Sequence, residues 1–139
     1  MSSHALMQKI PAAGKGAFVM RIMGVDPGYA IVGIGLLDYD NVRFSLVEYG
    51  AITTPAELPF ETRLRQIYDD MTELLTRYRP DAVAMEQLFF TTNRTTAIAV
   101  AEARGVLLLA AEQQGVPVFS YTPLQVKSAV VGYGKAEKE

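Results

Sequence analysis

Two acidic residues, Asp26 and Glu86, each close a short apolar run. Asp26 ends Met20–Asp26 and is followed by Pro27-Gly28, while Glu86 follows Ala82-Val-Ala-Met85. A buried strand that ends in an acid and then turns lifts that side chain to the rim of a sheet, where α/β folds build their sites. If the two strands lie side by side and parallel, the carboxylates meet at one edge. Like charges held close repel unless something positive is shared. Hard oxygen donors of this kind suit magnesium or manganese. Taken singly, each residue has a plainer reading: Asp26 as a turn-capping aspartate, Glu86 as a solvated strand-end charge.

Little else in the chain supplies chemistry. There are no cysteines, and the single histidine is His4, so neither a thiolate site nor a histidine-built triad or zinc site has material. Acids, bases and ligands must therefore come from carboxylates, hydroxyls, amides or lysines. A length of 139 residues fits one domain with a sizeable core, and half the residues are hydrophobic. The net charge of −2 gives no basic footprint for nucleic acid. From Thr91 onward, however, five basic residues stand against four acidic ones, which leaves room for a local basic patch. Met1–Val19 has no sustained periodicity and no apolar stretch long enough for a signal peptide; it reads as an N-terminal extension or leader, with the folded domain over 20–139. The most apolar segment, Ala97–Ala111, is broken by Glu102 and Arg104 and does not read as a membrane span.

The elements that must position the acids follow from period and punctuation. Ile31–Asp38 and Val42–Thr53 are β-branched and aromatic-rich and flank Tyr39-Asp40-Asn41, which predicts an antiparallel hairpin. Leu64, Ile67, Tyr68, Met71, Leu74, Leu75 and Tyr78 recur at three and four, predicting a helix from about Phe60 to Arg79 that Pro80 ends. After the strand carrying Glu86, Thr91-Thr92-Asn93 caps a long apolar helix reaching about Gln114, with Gly115 as its stop. Val116–Tyr121 reads as a strand and Thr122–Val130 as a short helix. Three antiparallel strands followed by right-handed β-α-β crossovers make a mixed five-stranded sheet flanked by helices, in which the first and fourth strands can be parallel neighbours.

Four motifs in this order resemble the RuvC family of Holliday-junction resolvases: Gly24-Val-Asp26-Pro-Gly28, Met85-Glu86-Gln87-Leu-Phe89, Ala103-Arg104-Gly105-Val106, and Gln125-Val-Lys127 running on to Val130-Val-Gly-Tyr-Gly134-Lys-Ala-Glu-Lys138. The resemblance covers Met20–Glu139. It implies a ribonuclease H-like fold and a cytoplasmic, nucleoid-associated homodimer working with the branch-migration proteins RuvA and RuvB. It also implies symmetric nicking of four-way junction DNA with Mg²⁺ or Mn²⁺, two ions per complete site, leaving 5′-phosphate and 3′-hydroxyl ends. On this resemblance Asp26 and Glu86 are metal ligands and catalytic residues, Lys127 and Lys138 lie near the scissile phosphate, and Phe89 contacts DNA at the crossover. Phe89 and Phe90 otherwise suit a core, where one of the two is expected, and the lysines suit a solvated surface.

The pattern departs from the family in one respect. Its remaining acids lie on a C-terminal helix beyond Glu139, and Glu137 and Glu139 do not fit them. The expectation is a resolvase domain incomplete at its C-terminus, carrying half a metal site, with weak or absent cleavage. Two rivals are a non-catalytic ribonuclease H-like binding module of the YqgF type and, on the Asp-Pro-Gly opening alone, a fragment of an actin-like or sugar-kinase ATP-binding fold.

Overall fold

Alternation along the first strand decides which way the sheet faces. In β1 (Met20–Asp26), Arg21, Met23 and Val25 are buried, while Ile22, Gly24 and Asp26 point to the opposite face. The same period of two runs through β2 (Ile31–Tyr39), where Val32, Ile34 and Leu36 are buried, and through β4 (Ala82–Glu86), where Val83 and Met85 are. The computed structural model describes residues 20–88 and 94–121. Together with β3 (Phe44–Thr53) and β5 (Val118–Tyr121), these strands form one sheet in the order β3-β2-β1-β4-β5. The β1–β2 and β2–β3 pairs are antiparallel; the β1–β4 and β4–β5 pairs are parallel.

Two helices cover the buried face. α1 (Phe60–Tyr78) contributes Ile67, Met71, Leu74, Leu75 and Tyr78 to the core, so the three-and-four spacing seen in the sequence is its inward stripe. α2 (Arg94–Gln113) contributes Ala103, Leu107, Ala110 and Ala111. Apolar burial of this kind is the main favourable term in folding. The predicted mixed sheet and helix order are therefore the observed ones over the described residues. The helix expected over Thr122–Val130 lies outside them.

Two strand starts fall later than the sequence suggests, each for a visible reason. Val42 belongs to the β2–β3 turn, because the Asp40 carboxylate accepts from the backbone N–H of both Val42 (2.9 Å) and Arg43 (2.8 Å). Val116 belongs to the stop of α2: Gly115 takes a φ of 71° and the Val116 N–H donates to the Ala111 carbonyl at 3.0 Å. At the end of α1, Arg79 adopts the left-handed conformation (φ 46°, ψ 62°) and donates to the Leu75 carbonyl.

The end of the sheet remote from Asp26 is tied by one buried cation. Arg21 is 2% exposed and grips both oxygens of Asp38, Nε to Oδ1 at 2.8 Å and Nη2 to Oδ2 at 3.0 Å. Its Nη1 donates to the Tyr78 carbonyl at 3.1 Å, and its backbone N–H to Asp81 Oδ2 at 2.7 Å. The start of β1, the end of β2, the last turn of α1 and the approach to β4 are thus joined through one residue. A forked guanidinium suits this bidentate grip in a way an ammonium does not.

Candidate active site

The β1–β4 register runs Ile22 to Ala82, Met23 to Val83, Gly24 to Ala84 and Val25 to Met85, so the next step sets Asp26 beside Glu86. Both side chains leave the sheet on the face opposite the helices, at its C-terminal strand ends. The sequence-predicted pair is therefore brought together, by parallel strands as expected.

The surroundings leave the pair accessible. Gly33 lies opposite Asp26 on β2, and a methyl group there would sit 3.3 Å from the Asp26 Cβ. Gly24, Gly33, Gly35, Ala82 and Ala84 share that face, so the sheet beside the acids carries little side-chain bulk. On the far side, Tyr121 of β5 is in register with Glu86, and the Gln87 N–H donates to the Tyr121 carbonyl at 2.7 Å, which holds the chain just after Glu86. After Asp26 the chain turns tightly. A Cβ on Gly28 would stand 2.1 Å from the Ile31 carbonyl oxygen, so only glycine fits.

The electrostatics of the pair are unfavourable without a cation. Burial at the strand end, the charge of Asp26 and a hydrogen bond between the two carboxyl groups hold the Glu86 carboxyl above the ordinary carboxylate range. Two hard oxygen donors that repel one another fit a divalent ion. Among the described residues no third acid or histidine joins them. Phe89, Lys127 and Lys138, the other residues assigned from the sequence, lie outside the described residues.

A sign follows for stability. Because the folded protein holds the Glu86 proton more tightly than the unfolded chain, stability falls as pH rises through the folded-state value. Asp26→Asn removes the neighbouring charge and should raise the Tm of the metal-free protein at pH 7, with the gain shrinking as pH falls through the ordinary carboxylate range and Glu86 becomes protonated in the unfolded chain as well. Added Mg²⁺ should reverse the order by stabilising only the parent. Thermal melts with and without the ion, across pH, check this; a variant less stable than the metal-free parent at pH 7 would refute it.

Comparison with known proteins adds a family to this geometry. The profile of the family described as "Crossover junction endodeoxyribonuclease RuvC" matches residues 22–139. A protein of that name from Brevibacillus brevis is 56% identical over 120 residues, covering 86% of this chain and 72% of the relative. One from Fusobacterium nucleatum is 50% identical over 120 residues, with 86% and 63% covered. Among solved structures, "T. thermophilus RuvC in complex with Holliday junction substrate" superposes with a TM-score of 0.72 at 35% identity, covering 79% of this chain and 69% of that one. The yeast mitochondrial Holliday junction resolvase Ydc2, at 12% identity and a TM-score of 0.57, shares the fold.

Proposed function

The chain belongs to the RuvC family of crossover junction endodeoxyribonucleases, and from that premise we propose that it is a metal-dependent nuclease domain acting on four-way DNA junctions, with Asp26 and Glu86 as the acids that hold its divalent ions. The observation that carries this is the parallel β1–β4 register, which sets the two carboxylates side by side on the open face of the sheet. Mg²⁺ is the preferred ion and Mn²⁺ its substitute. Bound there, such ions would offset the phosphodiester charge, lower the pKa of an attacking water and stabilise the leaving 3′ oxygen.

What the chain's own residues do is position and charge. Asp26 and Glu86 sit on strand ends, so their carboxylates are held without large reorganisation. Burial first, and then the charge of Asp26, raise the Glu86 carboxyl; a divalent cation would relieve that repulsion and keep both groups ionised. The small side chains on the same face give a DNA backbone room to approach. Phe89, Lys127 and Lys138 are assigned to DNA: the aromatic to a base at the crossover and the lysines to phosphates, where a base stacked on an aromatic face contributes about 1–3 kcal/mol.

The test is binding and nicking of a four-way junction against a linear duplex of the same sequence, in Mg²⁺ and in Mn²⁺. Binding confined to the junction is expected, with symmetric nicking that leaves 5′-phosphate ends and is weak with the two acids at hand. Indifference to DNA structure would favour a general nucleic-acid-binding module instead, and tight ATP binding would favour a kinase-like fragment.

A homodimer with junction-facing sites is part of this reading, with RuvA and RuvB as further partners. α2 supports it: Ile98 (61% exposed) and Leu109 (51% exposed) lie on one outward stripe with Glu102 and Gly105. A Cβ on Gly105 would meet nothing within 4 Å in this chain, so the glycine serves no internal packing. Leu109→Glu should convert a dimer to a monomer in analytical ultracentrifugation without lowering the Tm of the monomer. An unchanged sedimentation coefficient would exclude this face.

A further inference from the structure

The turn that follows Asp26 is gripped from outside by the first turn of α1. Thr54, in the β3–α1 connection, makes two hydrogen bonds to it: its N–H donates to the Ala30 carbonyl at 3.0 Å, and its hydroxyl donates to the Tyr29 carbonyl. Arg63 of α1, 8% exposed, stands behind Thr54. Its Nε donates to Thr54 Oγ1 at 2.9 Å and its Nη2 reaches the Thr54 carbonyl at 3.4 Å. The guanidinium carbon lies 5.1 Å from the centre of the Tyr29 ring, and that ring meets Phe60 edge-on at 5.9 Å.

The order of donors gives this arrangement a direction. A threonine hydroxyl has one proton. With Arg63 donating into the oxygen, that proton is directed away from the guanidinium, onto the Tyr29 carbonyl. The turn is short and stiff: Pro27 fixes its own φ, and Gly28 packs its backbone against the Ile31 carbonyl with no space for a side chain. Any movement of Tyr29 and Ala30 is therefore passed to Asp26, three residues away from Tyr29 along a chain with little freedom to absorb it.

We propose that Arg63, acting through Thr54, is a positioning residue for the Asp26 carboxylate: it locks the turn so that Asp26 stays in reach of Glu86 and a shared cation. This rests on the reading of Asp26 as a metal ligand. Neither Arg63 nor Thr54 touches the carboxylate, so their effect is on where the ligand stands.

The test compares Thr54→Val, Thr54→Ser and Arg63→Met with the parent chain in three measurements. The protection of the residue-54 amide, whose N–H donates to the Ala30 carbonyl, should fall about tenfold or more in Thr54→Val and Arg63→Met, and stay near the parent's in Thr54→Ser. The affinity for Mn²⁺, followed by its electron paramagnetic resonance signal, should weaken in the same two variants by the 10–100-fold typical of lost outer contacts to a ligand. In junction nicking, kcat should fall while the half-saturating junction concentration is unchanged. A role confined to stability would lower the Tm and leave the protection of the residue-54 amide and the Mn²⁺ affinity within twofold of the parent; that result overturns the proposal. Should the parent neither bind Mn²⁺ nor nick junctions, the functional reading fails, and local exchange alone decides whether Arg63 and Thr54 hold the turn.

Discussion

Glu86→Gln should lower the rate of metal-supported junction nicking by about a thousandfold while leaving junction binding intact. Charge stabilisation by a bound cation contributes several kcal/mol to such a reaction, and each ~1.4 kcal/mol is a factor of ten, so about 4 kcal/mol corresponds to that loss. Glutamine keeps the length and shape of the side chain at the end of β4 but removes the anionic oxygens. The fold should survive, because Glu86 is only half-buried and its unfavourable neighbour Asp26 no longer faces a second charge. Mn²⁺ affinity should fall with the rate, which separates loss of the ion from loss of DNA. Nicking by Glu86→Gln within threefold of the parent would remove this residue from the site.

The largest expected loss of stability comes from the other end of the sheet. Asp38→Ala leaves the Arg21 guanidinium buried without its bidentate partner, and breaking a buried pair costs about 3–5 kcal/mol. Asp38 is 24% exposed, so water can reach the vacated position and about 2–3 kcal/mol is the expected destabilisation in urea unfolding. The paired change Arg21→Met with Asp38→Leu should recover much of this, because no buried charge is then left unpaired. A single Asp38→Ala variant unfolding at the parent's urea midpoint would show that the pair contributes little.

What could be read from the residues, and what could not, divides along physical lines. The sheet and α1 were legible because periods of two and of three-and-four report burial directly: Val32, Ile34 and Leu36 on a strand, Ile67, Met71 and Leu74 on a helix. The Asp26–Glu86 pairing was legible because both acids end apolar strands, and parallel neighbours align their ends. Arg21 and Arg63 were not. A cation in the buried phase of a pattern looks like an error in the pattern until its partners are known, and these partners are a distant aspartate, a helix-end carbonyl and a threonine in a connecting segment. In retrospect the alternation Arg21, Met23, Val25 held the signal for the first. Thr54 carried none, since a threonine after a strand is ordinary. The start of β3 lies later than its residue types suggest because Asp40 captures two backbone N–H groups that a hairpin would otherwise spend on the ladder.

The order β3-β2-β1-β4-β5 also has a kinetic meaning. The hairpins β1–β2 and β2–β3 close over short stretches of chain, whereas β1 and β4 meet only after the whole of α1 has been laid down between them. Contacts across such separations form late and set the pace of folding. The carboxylate pair needs that long-range parallel pairing, so an ion held there would stabilise the finished sheet more than the route to it. Divalent metal should then slow unfolding and leave the refolding rate almost untouched.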